Sequence, residues 1–316
     1  MTWPRLRALL TKYLFIAGFL LLPVAIYGVF MISPFAQTAL YSFTDWGART
    51  TEFDYVGFDN YLRLAEDEVF RKAFGNSLFF FLTLPVVTVA LALFFAFMLN
   101  VGGRSNRAGV RGVFGSSVYK VIFFFPFILS IAIVAIVWGT IFRTDRHGLA
   151  NAVLMAVGLV DQDEPLLFLS HPGTVKWLLL AIAVWGFSGF FMVLFSAAMT
   201  SIPRDIYEAA VLDGANRSQQ FFRVTLPLLR DNVSVAWVYL GILGLDMFAL
   251  VYALTGGGPN NASQVMATQI YQTAFGSYRP GQFGYACAMG VALAVFTLLL
   301  AIVQLRIVRR ERIEFA

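Results

Sequence analysis

Long apolar stretches alternate with short polar segments along this chain, and the apolar stretches define the predicted elements. Each stretch holds about 20 or more predominantly apolar residues, enough for an α-helix to cross a hydrocarbon core about 30 Å thick. The pattern predicts an all-α integral membrane protein with six transmembrane helices, folded as a single transmembrane domain over residues 1–316. The predicted spans are about 13–40, 78–101, 121–142, 175–200, 233–255 and 283–308.

Four prolines lie inside the predicted spans, at Pro23, Pro34, Pro85 and Pro126. Membrane helices tolerate proline because neighbouring helices can satisfy the carbonyl groups that lose their partners. Kinks are therefore expected in the first three spans, with the spans themselves retained.

Composition supports a membrane location and argues against a soluble domain. Hydrophobic residues make up 59% of the chain and charged residues 13%, about half the charged share of an ordinary soluble domain. The first apolar run continues from Tyr13 to about Leu40, which is too long for the apolar region of a signal peptide. It is expected to remain as the first span of a multi-pass protein.

The net charge of +5 is interpreted by its location. If the N-terminus is cytoplasmic, the inner segments hold 15 of the 23 Lys and Arg residues, whereas the outer segments hold 11 of the 18 acidic residues. The positive-inside rule then predicts that both termini are cytoplasmic. The basic residues are explained by lipid headgroups at the cytoplasmic rim, so the charge gives no indication of nucleic acid binding.

The polar segment between the fourth and fifth spans predicts two short helices. Ser201 is expected to cap the first helix and Pro203 to lie in its first turn, with Asp205 and Glu208 near the positive end of the helix dipole. Gly214 is expected to adopt the left-handed conformation that ends this helix.

A second helix is predicted to begin at Ser218 and to carry an apolar stripe formed by Phe221, Phe222 and Leu226. The Leu226-Pro227 pair is then expected to turn the chain back to the membrane. With the predicted orientation, this helical hairpin lies in the cytoplasm beneath the bilayer.

The hairpin contains the run EAAVLDGA at 208–215, followed by Leu226-Pro227. Glycine follows the second alanine by four residues, and Leu-Pro follows that glycine by twelve. This pattern, before the penultimate span, resembles the EAA loop of binding-protein-dependent ABC importer permeases. The resemblance implies that the helix at 203–214 docks on a separate ATPase. The coupling residues would be Glu208, Ala209, Ala210, Asp213 and Gly214.

Further motifs are similar to the sugar-importing branch of that family, in the subtype that pairs with a second, different permease. At 249 the chain departs from many relatives, because Ala249 stands where they carry an acidic residue. The motifs that carry the resemblance are Val56-Gly57-Phe58-Asp59-Asn60-Tyr61, Asn76-Ser77, Trp138, Leu254-Thr255-Gly256-Gly257-Gly258-Pro259 and Phe283-Gly284-Tyr285-Ala286.

The resemblance implies an assembly in the plasma (inner) membrane of a prokaryote. Its other members would be a second homologous permease, two ATP-binding subunits and an extracytoplasmic solute-binding protein that delivers a carbohydrate. No phosphate-binding GxxxxGK[ST] motif occurs in the sequence, so ATP and Mg²⁺ are expected in the partner ATPase and no cofactor on this chain. Neither a catalytic set of residues nor a metal-ligand cluster is apparent, and the chain is not expected to be an enzyme.

Asp246 is the one acidic residue that falls inside a predicted span. Intramembrane ionisable groups face protein or a water-filled cavity, since exposing them to lipid is costly. Asp246 is therefore a candidate for the substrate pathway, although a purely structural role with a hydrogen-bond donor remains open. An ion-coupled secondary carrier is the alternative function, but it would be expected to need a chain of such groups. A membrane-embedded transferase would require acidic pairs or metal motifs with suitable spacing, which the sequence lacks.

Overall fold

The computed structural model describes residues 3–48, 52–101, 113–161, 164–276 and 281–308. Among these residues there is no β-strand, and one isolated antiparallel bridge joins Thr44 to Tyr55. The basic residues predicted to be cytoplasmic within 102–112 and 309–316 lie outside the described residues. The α-helices are α1 Trp3–Tyr27, α2 Ser33–Tyr41, α3 Asp59–Glu66, α4 Glu68–Val101, α5 Ser116–Ile128, α6 Ile131–Ile141, α7 Leu149–Ala156, α8 Val175–Thr200, α9 Arg204–Leu212, α10 Arg217–Gln219, α11 Leu226–Leu228, α12 Arg230–Leu245, α13 Phe248–Thr255, α14 Met266–Phe275 and α15 Phe283–Val308.

Four helical segments of the described chain are long and apolar enough to cross a membrane. Two bent pairs, α5 with α6 and Arg217–Leu228 with α12, raise the number to six if each pair counts as one span. The fourth and sixth predicted spans coincide with α8 and α15. The second span begins about ten residues earlier than predicted, at Glu68. The expectation of an all-α membrane protein is therefore confirmed.

The first span is continuous but contains a π-helical turn at Gly28–Ile32. Within this turn the backbone N–H of Ser33 donates to the carbonyl oxygen of Gly28, five residues earlier. Pro34 follows immediately and has no N–H to donate. The wider turn lies where the proline interrupts the regular ladder, as π-bulges commonly do at irregular points of membrane helices.

The third span is broken, in contrast to the single helix predicted over 121–142. Helices α5 and α6 meet at 97°. Leu129 between them is extended, with φ −67° and ψ 135°, and Ser130 caps α6 by accepting a hydrogen bond from the backbone N–H of Ile133 at 3.5 Å. The prediction was wrong because it relied on the average hydropathy of the segment, and that average does not reveal a helix cap inside an apolar stretch. Pro126 lies in the last turn of α5, close to this break.

The fifth span is also broken, although 233–255 was predicted as one helix. It begins at Arg230, and α12 ends at Leu245. Asp246 follows with φ −98° and ψ 53°, outside the helical region, and the chain resumes its helix only at Phe248. The prediction that Asp246 lies within a continuous helix was therefore wrong: the residue lies at a helix terminus, where backbone groups are left without helical partners.

Contacts divide the chain into two compact units. The first comprises Met1–Glu66 with Ile270–Ala294, and the second comprises Asp67–Gln269 with Val295–Ala316. In the first unit, the Asn60 side chain donates to the carbonyl oxygens of Ser42 at 2.9 Å and Thr44 at 2.8 Å. This buried amide ties α3 to the end of the first span, a structural role for the Asn60 of the sugar-branch motif.

The second unit contains α4, α5, α8 and α12, and the backbones of these helices approach closely at two glycines. A Cβ atom on Gly189 would overlap the carbonyl oxygen of Phe123 and lie 2.9 Å from the Cα of Phe124. A Cβ atom on Gly244 would lie 2.7 Å from the carbonyl oxygen of Phe80. Small residues commonly mark such contacts between membrane helices, because they let backbones meet. These contacts fix α8 against α5 and α12 against α4.

Candidate functional site

The first helix of the segment between α8 and α12 is α9, which runs over Arg204–Leu212, within the predicted 203–214. Pro203 precedes the helix as its N-terminal flanking residue, one position before the predicted first turn. Ser201 does not cap α9, contrary to the prediction. Its hydroxyl instead donates to the carbonyl oxygen of Ala198 at 2.8 Å, because the last turn of α8 offers an acceptor three residues back.

Gly214 ends α9 in the left-handed conformation, with φ +79°, as predicted. The backbone N–H of Ala215 donates to the carbonyl oxygen of Ala210 at 2.9 Å, and that of Gly214 donates to Val211 at 3.0 Å. The hydrogen bond from Ala215 to Ala210, five residues earlier, is typical of the Schellman motif at a helix C-terminus. The turn therefore has a defined geometry, and a β-branched residue would strain it.

Asn216, and not Ser218, precedes the second helix, which begins at Arg217. The Asn216 side chain accepts a hydrogen bond from the backbone N–H of Gln219 at 2.9 Å, and the Gln219 side chain accepts one from the N–H of Asn216 at 2.8 Å. This reciprocal pair is a capping box. The prediction of Ser218 was wrong because the Asn-x-x-Gln spacing was not recognised.

The second helix continues as a π-helical stretch at Gln220–Thr225 and then as α11. The chain turns at Leu229, where the axis changes by 72° into α12. It was predicted to turn at Leu226-Pro227, but the helix continues through Pro227, which directly follows the π-helical stretch and has no N–H to donate.

Buried contacts hold the two helices together. The Tyr207 hydroxyl lies 3.0 Å from the Thr225 hydroxyl, and both residues are buried. Burial raises the pKa of Tyr207, while its hydrogen bond to Thr225 acts in the opposite direction. The Gln220 side chain donates to the carbonyl oxygen of Ala215 at 2.9 Å. These bonds join α9 to the π-helical stretch, so the two helices form one structural element.

The apolar stripe predicted on the second helix is divided between two environments. Phe221 is half-buried and packs edge-on against Phe97 of α4, with ring centroids 4.9 Å apart. Phe222 is 62% exposed. Phe221 therefore anchors the segment to the membrane helices.

The face of α9 opposite Tyr207 is exposed and carries most of the motif residues. Glu208, Ala209 and Asp213 are exposed, whereas Ala210 is half-buried. Leu212 is 88% exposed, an unusual position for a large apolar side chain beside two carboxylates. Sequence reasoning missed Leu212, since the motif alone does not show which helix face is buried. This exposed set (Glu208, Ala209, Leu212 and Asp213) is called the α9 surface below.

Asp246 lies in the interruption between α12 and α13. Its backbone N–H donates to the carbonyl oxygen of Ile242 at 3.1 Å, which completes the last turn of α12. The residue is exposed, and none of the ion pairs formed by the described residues includes it. The neighbouring side chains therefore do not neutralise the carboxylate.

A cavity of about 230 Å³ lies beside Asp246. Its walls come from both broken spans and from the middle of α8, and two aromatic rings face it. Of the described residues that line it, Asp246 is the only one with a polar or charged side chain. The lining residues are Pro126, Phe127, Leu129, Ile131, Val134, Ile182, Ala183, Gly186, Phe187, Leu243, Asp246, Met247, Ala249 and Leu250.

The segment after the Gly-rich motif is fixed by the Asn76-Ser77 pair. The Asn76 side chain donates to the carbonyl oxygens of Ala262 at 3.0 Å and Gln264 at 2.8 Å. The Ser77 hydroxyl accepts a hydrogen bond from the backbone N–H of Met266 at 3.0 Å. Both residues are buried, so this motif satisfies loop backbone groups within the protein.

The model of a protein family described as "Binding-protein-dependent transport system inner membrane component" matches residues 64–313, which include α4, the α9 surface, Asp246 and the cavity. The chain belongs to this family. The predicted inner-membrane location and the expected permease family are thereby confirmed, and a member of this family works with a solute-binding protein. The family consists of membrane components, in keeping with the expectation that this subunit is not itself an enzyme.

Individual relatives resemble this family member over nearly its whole length. The chain is 38% identical to the diacetylchitobiose uptake system permease protein NgcF of Streptomyces coelicolor over 300 residues, a match that covers 94% of this chain and 83% of the relative. It is 32% identical to the multiple sugar-binding transport system permease protein MsmF of Streptococcus mutans, covering 96% of this chain and 98% of the relative.

The fold of this permease is similar to that of a solved structure. A chain of a bacterial ABC transporter involved in the import of the acidic polysaccharide alginate superposes with a TM-score of 0.77 at 24% identity. The match covers 97% of this chain and 99% of that chain. The two chains therefore share one fold.

Proposed function

We propose that this permease forms the translocation pathway for a carbohydrate together with a second, homologous permease. Two relatives that match more than nine-tenths of the chain have sugar uptake in their names, one for diacetylchitobiose and one for multiple sugars. The cavity of about 230 Å³ is smaller than typical ligand pockets, which measure roughly 300–1,000 Å³. This chain would therefore provide only part of a sugar-binding site, which supports a pathway shared with a second subunit. A second permease facing the exposed Asp246 would complete the site.

The exposure of the α9 surface supports a role for this helix in coupling to an ATPase. Glu208 and Asp213 offer carboxylates to a basic or amide group, Ala209 permits close approach, and Leu212 supplies an apolar side chain that would be buried by docking. We infer that this surface docks on one of two ATP-binding subunits, which use ATP and Mg²⁺. The buried contacts of Tyr207 and Gln220 would transmit movement of α9 to the rest of the segment.

The proposed orientation places both termini and the α9 surface in the cytoplasm, because most basic residues then lie inside. A solute-binding protein delivers the carbohydrate on the opposite side. Closure of the ATP-binding subunits moves the α9 surface and exchanges access between the two sides, a two-state change driven by differential binding.

The coupling proposal predicts a defect in Glu208→Lys. Reversal of this exposed charge removes a pairing group at the docking surface and puts a cation in its place. We expect insertion into the membrane to be normal and recovery of the ATP-binding subunits with the tagged permease to fall several-fold. Asp205→Lys, in the first turn of the same helix, is the charge-matched control. Equal recovery of the ATPase by Glu208→Lys and the wild type would contradict the assignment of the docking residue.

The pathway proposal predicts a transport defect in Asp246→Leu. A carboxylate that accepts hydrogen bonds from sugar hydroxyls contributes about 1.5–3 kcal/mol, so its loss should reduce carbohydrate transport by about tenfold or more. Asp246→Asn keeps the shape and should transport better than the leucine variant. Both variants should assemble and hydrolyse ATP normally.

Assembly yield separates this role from a structural one. Loss of complex in step with transport would assign Asp246 to packing against the partner permease, and undiminished transport by Asp246→Leu would end the pathway assignment. The comparisons give no support to an ion-coupled secondary carrier, the alternative function. A carrier would also transport without an ATPase, whereas this permease is expected to require one.

A further inference from the structure

We propose that Asp246 makes the pathway selective for uncharged and cationic saccharides over saccharides that carry a carboxylate, sulfate or phosphate. This inference rests on the proposed function, because it concerns the substrate class taken by the same cavity. Asp246 would thus determine substrate specificity, in addition to its place in the pathway.

The charge of the side chains that line the cavity is negative. The lining contains one carboxylate and no Lys, Arg or His among the described residues. A saccharide that brings its own anion into this space therefore meets a like charge, and no cationic side chain among the described lining residues of this permease compensates it. The other lining groups are aliphatic, aromatic, glycine or the thioether of Met247, and none of their side chains can donate a hydrogen bond to an anion.

The dielectric environment strengthens the effect. The interaction of two charges varies inversely with the effective dielectric constant, which is about 20 near a protein surface and 80 in water. On the cavity side of Asp246, the apolar lining reduces the screening that open solvent would provide. Repulsion at distances within the cavity should therefore disfavour an anionic sugar by at least about tenfold relative to its neutral counterpart.

The hydrogen-bonding chemistry of a carboxylate acts in the same direction. An ionised Asp accepts hydrogen bonds and donates none, so it suits the hydroxyl, amide N–H or ammonium groups of a neutral or cationic sugar. Phe127 and Phe187 offer apolar faces to the C–H surface of a sugar ring, with their ring centroids 6.3 Å apart. A carboxylate on the sugar lacks the donor that Asp246 requires.

A binding experiment on the whole membrane complex tests the inference. The two permeases and their ATP-binding subunits are reconstituted in lipid nanodiscs without the solute-binding protein, which would otherwise impose its own specificity. Saturation-transfer NMR then measures the binding of maltose, cellobiose, lactose and N,N′-diacetylchitobiose. Each neutral disaccharide is compared with the derivative in which one C6 hydroxymethyl group is oxidised to a carboxylate.

The wild-type complex is expected to bind at least one neutral disaccharide about tenfold or more tightly than its oxidised derivative. Asp246→Asn should bring this ratio close to one, while Asp246→Glu, which retains the charge, should preserve it. Glu68→Gln makes the same change in net charge at an exposed residue on the first turn of α4, outside the cavity lining, and should leave the ratio unchanged.

The outcomes separate this inference from the proposed function. Binding of a neutral disaccharide with an unchanged ratio in Asp246→Asn would overturn the selectivity alone. A wild-type complex that binds the oxidised derivative as tightly as the neutral sugar would also overturn it. Failure of the wild type to bind any of the four neutral disaccharides would overturn the pathway proposal together with the selectivity.

Discussion

Replacing Gly189 with alanine is expected to remove most of the folded permease from the membrane. The added methyl group would overlap the carbonyl oxygen of Phe123 and lie 2.9 Å from the Cα of Phe124, so the backbone of α5 or α8 must move. Overpacking of a core commonly costs about 1–3 kcal/mol and occasionally more, and a clash with backbone atoms belongs at the upper end.

The yield of monodisperse protein after detergent extraction, together with its thermal unfolding midpoint, checks this expectation. Gly186→Ala makes the same chemical change on the same helix, three residues away, where no atom outside the neighbouring backbone of α8 lies within 4 Å of the added Cβ. This control should have a yield close to that of the wild type. Equal yields and unfolding midpoints for the two variants would contradict the assigned helix contact.

Replacing Gly214 with valine is expected to abolish coupled transport while leaving the protein inserted. At φ +79° a β-branched side chain is strongly disfavoured, and the hydrogen bonds from Gly214 to Val211 and from Ala215 to Ala210 depend on that conformation. The distorted turn would displace the adjacent α9 surface. Transport driven by ATP should fall by more than about tenfold.

Gly214→Asn provides the matched comparison, since asparagine adopts the left-handed conformation more readily than other residues with a side chain. Apart from residue 214 and its two chain neighbours, no atom lies within 4 Å of the added Cβ, so backbone strain and not crowding distinguishes the variants. Asparagine should restore most of the transport lost with valine. Equivalent activity of the valine variant and the wild type would show that the turn is not required for coupling.

The sequence predicted the long uninterrupted helices well because their boundaries coincide with changes in hydropathy. Residues 175–200 and 283–308 were predicted and observed with the same limits. The breaks at Ser130 and Asp246 were missed, since a hydropathy window averages over a cap or a pair of non-helical residues. Each break nevertheless carries a local signal: Ser130 is a good helix cap, and Asp246 is acidic within an apolar run.

The candidate site was predicted only in part, for a similar reason. Spacing identified the Gly214 turn, whose left-handed conformation is a local requirement of the backbone. The burial of Tyr207 and the exposure of Leu212 depend on contacts with Thr225 and other distant residues, which helical periodicity does not specify. The cavity beside Asp246 was not predictable, because three separate spans contribute its walls.

The backbone contacts at Gly189 and Gly244 also restrict the kind of motion available to the second unit. Sliding α8 along α5, or α12 along α4, would drive side chains of neighbouring turns into positions where the helices have room only for hydrogen. Shear between these packed helices is therefore sterically blocked, whereas rotation of the packed helices as a block preserves the contacts. Alternating access would then depend on hinges at non-helical residues. Because the close contacts at the two glycines prevent sliding, a force applied to one of these helices would rotate the packed helices together as a rigid body.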